Sequence, residues 1–68
     1  MWIARDKDGG LFLYDTLPIE REDYFECRRG YDCYHLDSKL FPEVTFEESP
    51  QKVELRLVEL KLVNHGNT

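Results

Sequence analysis

Two apolar runs, Trp2-Ile3-Ala4 and Leu11-Phe12-Leu13-Tyr14, flank the polar cluster Arg5-Asp6-Lys7-Asp8-Gly9-Gly10. Strand-forming residues on either side of an Asp-Gly step predict a β-hairpin, because the turn needs a positive φ that glycine reaches without a Cβ clash. Two registers are open. A two-residue Asp8-Gly9 turn pairs Ala4 with Leu13. A three-residue loop with a glycine bulge pairs Ala4 with Phe12 and Trp2 with Tyr14. The second is preferred, since Asp6-Lys7-Asp8 suits a type I turn ending in left-handed Gly9. Asp15-Thr16-Leu17-Pro18 then ends the second strand, as proline has no donor for the ladder.

The charged stretch Ile19-Glu20-Arg21-Glu22-Asp23 has no apolar period and reads as a solvated loop. Tyr24 to Asp37 reads as a second hairpin with Gly30 at its tip. Symmetric pairing about Gly30 sets Cys27 opposite Cys33 and Phe25 opposite His35, four side chains on one face. Tyr24, Glu26, Tyr34 and Leu36 fall on the other. Asp37-Ser38-Lys39-Leu40 suits one short helical turn capped by Asp37. It stops early, because the residue before Pro42 is pushed out of the helical region. Phe41 and Phe46 are the expected anchors of the FPEVTF segment, with Val44-Thr45-Phe46 a candidate edge strand. Glu47-Glu48-Ser49-Pro50 is a turn or loop.

The last apolar element begins at Lys52 and covers residues 52–63. Val53, Leu55 and Leu57 alternate with charged residues, then the phase slips by one to Val58, Leu60 and Leu62. A strand with a β-bulge near Leu57-Val58 keeps one apolar face. The competing reading is an amphipathic helix through Val53, Leu57, Leu60 and Val63. Strict alternation on each side of the slip favours the strand. The expected architecture is thus mainly β: two hairpins and a long C-terminal strand in a small antiparallel curved sheet or half-barrel. Residues 1–63 form its single domain and 64–68 a frayed tail.

With 68 residues the chain has a modest core, which its tryptophan, four tyrosines and four phenylalanines enlarge. At 34% charged and 41% hydrophobic residues it reads as globular rather than disordered. A formal charge of −5 disfavours nucleic acid, whose phosphates call for a basic footprint. No apolar run approaches the ~20 residues of a membrane span, and no signal peptide is visible. A reducing cytoplasm and free thiols at Cys27 and Cys33 follow as expectations.

The string WIARDKDGGLFLYDTLP, with the later Phe41-Pro42-Glu43-Val44 and the alternating strand after it, resembles a family of small uncharacterised proteins of phages, prophages and mobile elements of gut bacteria. Their pattern runs W-I-A-R-D-x-D-G-x-L-x-L-Y-D-x-x-P, then F-P-E-V. The resemblance covers most of the chain. It implies an origin and carries over no functional residue.

Cys27, Cys33 and His35 on one hairpin face are the sharpest local candidates for chemistry. Cysteine and histidine ligate zinc, but C-x5-C-x-H matches no standard finger, and a fourth ligand would have to come from His65 or a carboxylate. Core packing of the thiols is the simpler reading, and a cross-strand disulfide is geometrically open. No acid-base pair or oriented nucleophile is readable, so no enzyme and no cofactor are expected. Arg28, Arg29 and Tyr31 at the second tip are candidate protein-binding residues, arginine and tyrosine being favoured at contact hot spots. The 52–63 strand offers a homodimer edge, with Glu54, Arg56, Glu59 and Lys61 to blunt or select pairing. The expected function is a binding or accessory protein acting by protein contact. The alternative is a small Cys/His metal-binding module.

Overall fold

The computed structural model of the chain describes residues 1–54. Strand β1 (Trp2–Arg5) and strand β2 (Leu11–Tyr14) form the opening hairpin, with Trp2 opposite Tyr14 and Ala4 opposite Phe12. This is the glycine-bulge register. Gly9 takes φ +99° and its N–H donates to Asp6 O at 2.9 Å, while Asp6 N–H donates to Gly10 O at 2.8 Å. The Asp8 carboxylate accepts from Gly10 N–H at 2.9 Å, the local side-chain bond that suits aspartate to turns.

Strands β3 (Ile19–Glu20) and β4 (Phe25–Glu26) make a second, two-stranded sheet. Strand β5 (Cys33–Leu36) pairs with β2, and β6 (Gln51–Lys52) pairs with β1, giving the order β5-β2-β1-β6. Among the described residues all pairings are antiparallel, and neither sheet closes into a barrel. The protein is a small, mainly β fold with no helix among the described residues. None there is long and apolar enough to cross a membrane.

Register across the large sheet assigns its faces. Trp2, Tyr14 and Cys33 line up, as do Ala4, Phe12 and His35, on one side; Ile3, Leu13 and Tyr34 line up on the other with Arg5, Leu11 and Leu36. Each side carries its own buried cluster. Ala4, Tyr14 and Phe25 form the first, with Trp2, Phe12, Cys27 and Phe46 against it. Ile3, Leu11 and Val44 form the second, with Leu13, Leu36 and Val53 against it.

Several expectations change here. The 24–37 stretch is not a hairpin. Phe25–Glu26 turns back on Ile19–Glu20, and Cys33–Leu36 adds to β2 instead. Ile19–Glu20, expected in a solvated loop, is therefore a strand, and residues 21–24 close the second hairpin, with Arg21 N–H donating to Tyr24 O at 2.8 Å. The reason is tertiary. The first hairpin's loop offers Asp6 Oδ1 to Phe25 N–H at 2.9 Å and donates Lys7 N–H to Asp23 O at 2.9 Å, so β4 is claimed before Gly30.

The FPEVTF segment forms no edge strand. Its buried anchor is Val44, and Phe41 points outward, 48% exposed. Phe46 does anchor, its ring 5.8 Å from that of Phe25. Residues 37–40 make one tight turn rather than a helical one. Leu40 N–H donates to Asp37 O at 3.0 Å, and the Asp37 carboxylate accepts from Lys39 N–H at 2.9 Å. Before Pro42, Phe41 leaves the helical region for a left-handed φ of +48°, uncommon for an aromatic residue.

The C-terminal element starts as a strand at Gln51–Lys52, and Val53 N–H donates to Met1 O at 3.0 Å. The bulge near Leu57-Val58, the 64–68 tail and the part of the expected 52–63 homodimer edge after Glu54 lie outside the described residues.

Candidate functional site

The candidate binding residues sit in the loop between β4 and β5. Gly30, expected at a hairpin tip, turns a left-handed corner of this loop at φ +86°. Tyr31 N–H donates to Arg28 O at 3.1 Å, closing the turn. The Cys27 thiol donates to Tyr31 O at 3.0 Å, and Arg28 Nε–H donates to Leu17 O at 2.8 Å. Asp15 N–H to Asp32 O at 3.2 Å ties the loop's far end to β2. These four bonds hold the backbone while Arg29 and Tyr31 remain exposed, Tyr31 at 55%. Arg28, by contrast, is spent partly on the scaffold.

Electrostatics around the loop are acidic as well as basic. Asp15, then burial and Asp32, raise the Tyr34 phenol above its usual range. Burial raises the Cys27 thiol, helped by Cys33 beside it and by the charges of Asp32 and Asp15. Cys27 therefore stays protonated at neutral pH, a poor nucleophile as it stands.

The structure brings Cys27 and Cys33 together, though not as facing residues of one hairpin. Cys33 is opposite Tyr14 in the ladder, and Cys27 packs against the cluster containing that tyrosine. Both cysteines are free. His35 is on the same side of the sheet, but its ring stacks on Phe12 at a centroid distance of 4.9 Å. No group of three His, Cys, Asp or Glu side chains able to hold a metal ion occurs among the described residues. The Cys27, Cys33, His35 ligand set is thus not assembled there, since a zinc site needs convergent donors.

On the opposite face, Leu36, Leu40, Phe41, Val44 and Val53 line an apolar groove of about 370 Å3. Val53 and Glu54, the last described residues, form part of its wall.

Arg5 is the residue that sequence reasoning misses. All five of its guanidinium N–H groups find backbone carbonyls. Nε–H donates to Val44 O; Nη1 donates to Gly9 O and Ser38 O, both at 2.9 Å; Nη2 donates to Leu40 O at 3.0 Å and Phe41 O at 3.1 Å. Its backbone N–H adds Ser49 Oγ at 2.9 Å. Alternation holds the signal: an arginine in phase with Ile3 sits on an apolar face and must find acceptors there.

No family model, curated protein or solved structure matches this chain.

Proposed function

We propose that this chain is a non-enzymatic binding protein, of the phage or mobile-element kind its opening motif resembles, acting by contact with a partner protein. The contact is made by loop 27–33 through Arg29 and Tyr31. One observation carries the reading: a turn tied at Cys27, Arg28, Tyr31 and Asp32 displays an exposed arginine and an exposed tyrosine whose side chains make no hydrogen bond among the described residues. Arginine and tyrosine dominate contact energetics. A preformed backbone also reduces the ordering cost of association, leaving that of the side chains, roughly 0.5–1.5 kcal/mol for each one immobilised. The partner supplies an acceptor for Arg29 and an apolar recess for Tyr31.

The test compares the wild-type chain with the Arg29→Ala/Tyr31→Ala double variant as baits in a gut-bacterial lysate. The double variant is expected to unfold at the wild-type urea concentration and to lose the specific partner. A partner retained undiminished by the double variant overturns the assignment of this loop.

A further inference from the structure

We propose that Cys27 and Cys33 form a redox-responsive thiol pair which closes to an intramolecular disulfide across the base of the 28–32 loop. Three placements support it. Cys33 is fixed by its ladder position opposite Tyr14, while Cys27, just past the end of β4, packs against the buried cluster that contains the same tyrosine. The Cys27 thiol donates to Tyr31 O at 3.0 Å, two residues before Cys33, and Cys33 is among the neighbours that raise that thiol above its usual range. Cys33 is exposed and Cys27 half-buried, so one thiol is open to a soluble oxidant and the other sits behind it to resolve.

The chemistry is a two-step exchange with a low-molecular-weight disulfide such as glutathione disulfide. The Cys33 thiolate attacks one sulfur of that reagent, forms a mixed disulfide and releases one glutathione thiolate. Cys27 then gives up its proton, which moves to the departing thiolate, and its sulfur attacks Cys33 Sγ. The mixed disulfide breaks, and a second glutathione leaves. Two protein thiols are oxidised and one glutathione disulfide is reduced to two thiols. The Cys27 bond to Tyr31 O disappears with its proton, so a covalent link replaces a hydrogen bond as the loop's clasp. A bridge requires Cα atoms about 4.4 to 6.8 Å apart, and a short loop tied at both ends suits that span.

The thiol pair is independent of the proposed partner contact, because its closure is read on the isolated chain. The reduced full-length protein is incubated with glutathione disulfide and its intact mass recorded after iodoacetamide treatment. The expected product has lost two hydrogens and carries no alkyl group, while Cys27→Ser gives a stable single glutathione adduct at Cys33. Peptide mapping should join 27 to 33. A wild-type product carrying one or two glutathiones, a disulfide-linked dimer, or two alkylated thiols after the Cys27→Ser control has reacted would each overturn the proposal.

Discussion

The two faces of the four-stranded sheet each carry a buried cluster, yet these are covered in different ways. The aromatic face, around Ala4, Tyr14 and Phe25, is closed by strand β4, which brings its own ladder. Only a few tertiary bonds are then needed: Tyr14 O–H to Phe25 O at 3.2 Å, and Phe25 N–H to Asp6 Oδ1 at 2.9 Å. The aliphatic face, around Ile3, Leu11 and Val44, is closed by irregular chain between 37 and 50. Irregular chain leaves its carbonyls unpaired, and buried or half-buried carbonyls need donors. Arg5 provides five. A strand used as a cover satisfies itself, whereas a loop used as a cover depends on one side chain rich in donors.

That contrast can be broken from the aliphatic side first. Leu11 is fully buried, and Leu11→Ala should lower unfolding free energy by about 2–5 kcal/mol, read from urea denaturation. A loss below ~1 kcal/mol would mean that this face contributes little to the core.

Arg5→Lys keeps the charge but exchanges five fixed donors for three on a point-like ammonium. Since at least two carbonyls lose their partner, a loss of about 1–3 kcal/mol is expected. Hydrogen exchange should locate the loosening at 38–44 and leave the β1–β2 ladder protected. Uniform exchange across both regions would argue that Arg5 is not a local clamp.

Tyr14→Phe tests the aromatic face. Burial, with the charge of Asp6 and the neighbouring thiols, holds the Tyr14 phenol far above its usual range, so it stays a neutral donor. Removing its hydroxyl leaves Phe25 O short of one bond, at a cost of about 0.5–1.5 kcal/mol. The effect should be smaller than that of Arg5→Lys, because β4 keeps its own ladder.

Asp6→Asn sharpens the comparison through pH. Burial raises the Asp6 carboxyl, the bond from Phe25 N–H opposes that, and Asp8 adds to it, leaving the net shift upward. A raised folded value means stability that is fully present below the usual aspartate range, near about pH 4, and lost as pH rises through the folded value. Asparagine keeps the acceptor for Phe25 N–H without the charge. The variant should be the more stable protein at pH 7, and its advantage should shrink on acidification through that range. An advantage that is the same at pH 7 and pH 3 would assign the effect to something other than ionisation.

How much of the fold is legible from residues depends on how local the instruction is. The first hairpin takes its preferred register because loop and strands agree, and Gly9 occupies the left-handed corner expected of it. The 24–37 stretch misleads because its aromatics alternate on both faces, so periodicity selects no partner for either half. Val44 rather than Phe41 is the buried anchor, although size alone points to the larger residue. Arg28, Arg29 and Tyr31 do surround a glycine corner, but nothing local distinguishes Arg28, tied to Leu17 O, from Arg29 beside it.

The sequence by itself determined the first hairpin's turn, the strand-breaking proline at 18, the period of two and the mainly β class, since each depends on φ preference and side-chain alternation within a few residues. The tertiary structure alone decided which strands pair, which cover closes each face, and where the donors of Arg5 and the two thiols meet. Those choices depend on bonds between residues far apart in the chain, such as Arg5 with Phe41 and Asp6 with Phe25. Such bonds have no periodicity to announce them. They form because a buried polar group left unpaired costs more free energy than the ordering needed to pair it.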